Sequence, residues 1–172
     1  MKTRIAVLAL LTFALVQIGA ADKTRVSRAS IASMETSIDK QLTKLWPDDP
    51  FLLLGTTRGV YLDGYGAVFT AELNLVTAPG ISPFHPTMSK EDIARYQQKK
   101  LERLAQLREQ MRGVLVSTAS SMDNVPAEEQ IVVAASLFRY PWEDAARLPA
   151  QILMQGRRGQ LRTEAAIQVR EF

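Results

Sequence analysis

The stretch from Phe51 to Val76 restricts the possible folds more than any other part of the chain. Two strand-like runs flank Asp63-Gly64, a pair favoured at the centre of the type I′ turn whose twist suits a β-hairpin. In the second run Ala67, Phe69, Ala71, Leu73 and Leu75 share one face, while Gly66, Val68, Thr70, Glu72 and Asn74 share the other, more polar one. The pattern predicts a long hairpin over residues 51–76 with one face on a core. An apolar sheet face needs a second layer to cover it.

Two segments carry the helical period that such a layer requires. Ile31, Met34, Ile38, Leu42 and Leu45 recur every three or four residues, predicting a helix over 30–45. Ser30 or Ser33 is placed to cap it, and Trp46-Pro47-Asp48-Asp49-Pro50 to stop it. Ser89-Lys-Glu-Asp92 resembles a capping box with Asp in place of Glu. It opens a long helix over 90–120 with an apolar stripe that includes Tyr96, Leu104, Leu107, Met111 and Leu115. Gly113 is expected to weaken or bend this helix.

The apolar run Gln130–Phe138 reads as a strand buried on both faces, and 150–155 as its pairing partner, stopped by Gly156. Glu143 to Arg147 fits one helical turn between them. The tail fits either a helix to Ala166 or an edge strand over 166–172. The order predicts an α+β domain. It has a mostly antiparallel sheet of four or five strands, with the long helix packed across it and the N-terminal helix beside it. A single domain over 30–172 follows a flexible leader at 22–29.

Ahead of the domain, Lys2 and Arg4 precede an apolar run from Ile5 to Val16 and small residues at Gly19, Ala20 and Ala21. That is the layout of a secretory signal peptide over residues 1–21. The run breaks at Gln17, short of the roughly 20 residues a span needs, so cleavage without a permanent membrane span is expected. The chain has no cysteine. An exported domain held without disulfides points to a bacterial periplasmic or secreted protein. The same absence removes thiol nucleophiles and Cys-containing zinc sites, and a single histidine, His85, excludes a multi-histidine metal centre.

Of 21 basic residues, Lys2 and Arg4 leave with the signal, so 19 face 18 acidic ones in the remainder. So even a balance argues against nucleic acid as a partner. Arg95, Lys99, Lys100, Arg103, Arg108 and Arg112 line the long helix, interleaved with Glu91, Asp92, Glu102 and Glu109, which predicts a salt-paired solvated face.

No Gly-x-Ser-x-Gly elbow occurs, and Gly55, Gly59, Gly64 and Gly66 lack the order of a phosphate loop. No catalytic residue, cofactor motif or metal set is expected. Candidates for a ligand surface are Asp48 and Asp49 in the proline-flanked turn, Tyr61 and Tyr65 on the hairpin, and His85 in the proline-rich loop from Thr77 to Met88. The expected function is a non-enzymatic interaction or scaffold module of the bacterial envelope, its partner an unidentified envelope protein. The alternative is a periplasmic ligand-binding or hydrolytic domain with a site near the hairpin and the His85 loop.

Overall fold

The computed structural model describes residues 26–77, 88–144 and 147–172. The expected signal peptide, the first half of the leader, most of the proline-rich loop with His85, and part of the expected turn at 143–147 lie outside the described residues. Helix α1 spans Arg28–Leu42 and buries Ile31, Met34, Ile38 and Leu42. Its cap is Ser27, whose hydroxyl accepts the Ser30 N–H at 3.1 Å, so the helix begins two residues before the expected start. It also ends earlier. Thr43 donates both its N–H and its hydroxyl to the Asp39 carbonyl, at 2.9 and 2.8 Å. Trp46 then takes φ of 51° ahead of Pro47, which leaves no helical path.

The hairpin is present with its first arm in two pieces. Strands β1 (Leu52–Leu53) and β2 (Arg58–Leu62) both pair antiparallel with β3 (Gly66–Asn74). Gly55, at φ of 94°, breaks the arm between them. The turn is not type I′. Tyr65 N–H donates to the Leu62 carbonyl at 2.9 Å, and of the two central residues only Gly64 has positive φ, 77°. Type I′ requires positive φ at both, and the observed pattern is that of type II.

Helix α2 spans Lys90–Ser121. Ser89 caps it, accepting the Asp92 N–H at 3.0 Å and donating its hydroxyl to the Asp92 carboxylate at 2.8 Å. At 1.5 Å per residue it is about 48 Å long, enough to carry the chain from one end of the sheet to the other. Strand β4 (Gln130–Leu137) therefore starts beside Gly66 and runs parallel to β3. Strand β5 (Gln151–Arg157) is antiparallel to β4, and β6 (Gln168–Glu171) is antiparallel to β5. The tail thus combines both expectations, with 3-10 turns at Arg158–Gln160 and Glu164–Ala166 before an edge strand.

The sheet order is β1-β3-β4-β5-β6 with β2 also on β3. Since β4 occupies the other side of β3, β1 and β2 lie end to end, and six strands fill five positions. Both helices cover one face: Ile38 and Leu42 of α1 and Met111 of α2 meet Phe69, Ala71, Val133 and Ala135 around a void of about 10 Å³. Strand β4 is buried on both faces, with Ile131 and Val133 on one side and Val132 and Ala134 on the other.

Gly113 lies on the exposed side of α2, and a methyl group added there meets nothing within 4 Å. Gly113→Ala is expected to stabilise the fold by about 0.5–1 kcal/mol, because alanine lacks the glycine's backbone-entropy penalty. A urea titration checks this; an unchanged or lower midpoint contradicts it.

Candidate functional site at the hairpin edge

Among the described residues strand β2 forms one edge of the sheet, and alternate amides along it and just before it point away from β3. Helix α1 reaches two of them. The Thr57 N–H donates to Asp39 Oδ1 at 3.0 Å, joined by the Thr57 hydroxyl at 2.5 Å. The Gly59 N–H donates to Glu35 Oε1 at 2.7 Å. Residues four apart on a helix are separated by about 6 Å along its axis, and residues two apart on a strand by about 6.7 Å. The two carboxylates thus stand where the carbonyls of a neighbouring strand would stand. Arg28 fixes Glu35 through two parallel bonds at 2.8 and 2.9 Å and also reaches the Gly59 carbonyl at 3.4 Å.

The hydrogen bonds from Arg28 are the main reason the Glu35 carboxyl is held below the usual carboxylate range, with burial opposing them. A carboxyl whose pKa falls on folding stabilises the fold above its unfolded value, and that stability is lost as pH falls through the folded one. Glu35→Gln should therefore lower the melting temperature at pH 7, and the gap should close as the solution is acidified through the depressed pKa of Glu35. Melting curves across pH 2–7 test this, and a gap independent of pH contradicts it.

At the other end of the hairpin, the buried Glu129 accepts the Tyr61 hydroxyl at 2.9 Å and the Gly64 N–H at 3.2 Å. Burial, then the hydrogen bond to Glu129, pushes the Tyr61 phenol up to about 12, so it stays a donor. Between the two anchor points lies a cavity of about 590 Å³. Val26, Arg28 and Ile31 line one side, and Gly59, Val60, Tyr61 and Asp63 the other. Val60 and Leu62 point to the sheet face away from the helices and are 49% and 48% exposed; Tyr65 at the tip is 44% exposed. Three large apolar side chains in water along one edge is an arrangement that marks contact surfaces.

The expected site residues do not converge. Tyr61 and Tyr65 lie at the end of the hairpin near Glu129, while Asp48 and Asp49 precede β1 at the opposite end of β3. The nine-residue strand β3 separates the two ends, about 26 Å at 3.3 Å per step. Asp48 is exposed. Asp49 pairs with Lys99 and with Arg103, the latter at 2.7 Å. The hydrogen bond from Lys99, with Arg103 assisting, holds its carboxyl below the usual range. Arg103 is itself buried, bonded to the Leu75 carbonyl, with its guanidinium 4.7 Å over the Trp46 ring. This end is a structural latch.

All six cations named on α2 are paired, so the helix presents no unneutralised stripe of them. Only Arg95 with Asp92 and Arg112 with Glu109 use partners on the helix itself. Lys99 and Arg103 take Asp49, Lys100 takes Glu143, and Arg108 takes Glu171.

Glu35, Asp39, Glu129 and Arg28 were not singled out by the sequence. The one available signal was the four-residue spacing of Glu35 and Asp39 on the polar side of α1, which ordinarily reads as a solvated face. Among the described residues, no group of three or more His, Cys, Asp or Glu side chains is placed to hold a metal ion. Nor is any helix among them long and apolar enough to cross a membrane. Comparison with models of protein families, with curated proteins and with solved structures finds no match to this chain.

Proposed function

We propose that this chain is an exported module of the bacterial envelope that acts by binding another protein through the β2 edge, without chemistry of its own. The observation that carries the reading is the row of exposed apolar side chains, Val60 and Leu62 on the edge strand β2 and Tyr65 in the turn after it, beside a cavity of about 590 Å³. Export rests on the charge, apolar run and small residues of positions 1–21. The alternative, a ligand-binding or hydrolytic site near the hairpin and the His85 loop, does not draw on Asp48 and Asp49 together with Tyr61 and Tyr65, because the length of β3 lies between the two pairs.

Val60→Glu with Leu62→Glu tests the reading. Both positions are half in water, so the pair should change stability by no more than about 1 kcal/mol. In cells treated with a chemical crosslinker, the unchanged protein should give a reproducible heterologous adduct that the double variant loses. An adduct that survives the double variant, or a crosslink-free monomer in both, contradicts the proposal.

A further inference from the structure

We propose that the β2 edge takes an extended segment of its partner as an added antiparallel strand alongside Val60–Leu62, apolar in its body and basic at the end that meets the hairpin tip. This rests on the binding reading above and adds the mode and the chemistry of the partner.

The carboxylates of α1 divide the edge. Asp39 and Glu35 occupy the outward amides of Thr57 and Gly59, so an incoming strand is stopped there. The two-residue alternation turns the Tyr61 N–H and carbonyl outward as well, and among the described residues no side chain caps them. An added strand therefore has a defined stretch, from the Glu35 clasp to the turn at Asp63. One set of its side chains points toward Val26 and Ile31 in the cavity. The alternate set lies beside Val60 and Leu62 on the open sheet face. The open face is apolar, and the cavity combines Val26 and Ile31 with the charged Arg28 and Asp63 at its rim; main-chain bonds with pockets for alternate side chains are the way strand addition achieves affinity and selectivity.

Charge sets which end of the added strand is basic. Asp63, Glu128 and Glu129 all act on the Tyr61 phenol from the tip end. Arg28 and Arg58 act on Glu35 from the closed end. A strand antiparallel to β2 enters at the tip with its N-terminal end and finishes near the arginines with its C-terminal end. A lysine or arginine first matches the acidic tip, while at the closed end Arg28 is already paired with Glu35 and demands no charge.

The probe is a synthetic peptide, acetyl-Lys-Val-Thr-Val-Thr-Val with a free C terminus, titrated into isotope-labelled protein recovered after export. The expected result is saturable NMR shifts centred on Gly59–Asp63, with slowed exchange of the Tyr61 amide. Asp63→Lys should weaken binding about fivefold, the scale of one exposed charge pair. A peptide with Glu in place of Lys should regain that loss on the Asp63→Lys variant. Three results would overturn the proposal: no shifts at Tyr61, equal binding of a peptide with proline at alternate positions, or an affinity indifferent to the charge swap. So would concentration-dependent self-association through Val60, which would make the occupant a second copy of this chain. If the probe fails while Val60→Glu with Leu62→Glu still abolishes the cellular adduct, strand addition is wrong and the binding reading stands.

Discussion

Lys100→Met is expected to destabilise the protein by about 3–5 kcal/mol, the range for breaking a buried ion pair on one side. Lys100 and Glu143 have side chains only 2% and 0% exposed. The ammonium donates to both Glu143 oxygens, at 2.7 and 2.9 Å, and to the Phe138 carbonyl at 3.0 Å. Its nitrogen also lies 5.2 and 5.6 Å from the ring centres of Tyr96 and Tyr140. Tyr140 stacks on Trp142, and Tyr96 packs edge-on against both. Burial, reinforced by the charge of Glu143, pushes the Tyr96 phenol up, and its hydroxyl donates to the Val76 carbonyl. Methionine fills the volume of the lysine stem but leaves the Glu143 carboxylate in a closed pocket, where the Tyr140 N–H at 2.8 Å is too little to replace an ammonium. Adding Glu143→Gln should recover about 1–3 kcal/mol by removing that stranded charge. Urea unfolding of the single and double variants measures both quantities. A single variant within about 0.5 kcal/mol of the parent would show the pair to be solvated.

Gly66→Ala should be of similar size for a different reason. A Cβ on Gly66 would stand 1.9 Å from the Gln130 carbonyl oxygen, and φ there is 132°. Gln130 cannot retreat freely, because its own N–H donates to the Tyr65 carbonyl at 2.7 Å, and it opens the parallel register with β3. Overpacking and backbone strain together come to about 3–5 kcal/mol. Gly64→Ala is the control. Its added methyl meets nothing within 4 Å, so only positive φ opposes it, at about 1–2 kcal/mol. Thermal unfolding should rank Gly66→Ala well below Gly64→Ala; equal losses would contradict this account of the β3–β4 junction.

What the sequence made legible follows the range of the interaction. Both helices and strand β3 were readable from a local period, Ile31, Met34, Ile38 and Leu42 on α1 or Ala67, Phe69, Ala71 and Leu73 on β3, and strands β4 and β5 from short apolar runs. The break of the first hairpin arm was hidden, since Gly55 can sit within a strand as readily as end one. The parallel pairing of β3 with β4 depends on where the long α2 sets the chain down. No residue in either strand encodes that. Ion-pair partners were the least legible: Lys100 finds Glu143 forty-three residues away, a separation that no local spacing signals. For the candidate site, Tyr61 and Tyr65 were visible as aromatics among glycines. The carboxylates that close half of the edge were not, because Glu35 and Asp39 on α1 look like any solvated helix face until β2 is placed beside them.

Site-specific photo-crosslinking in living cells tests most directly whether the hairpin edge meets another protein. A photoreactive amino acid at Leu62 should give one dominant heterologous adduct, and the same group at Asp48, at the far end of β3, should give none. Equal labelling from both positions, or none from Leu62, would contradict the assignment of this edge.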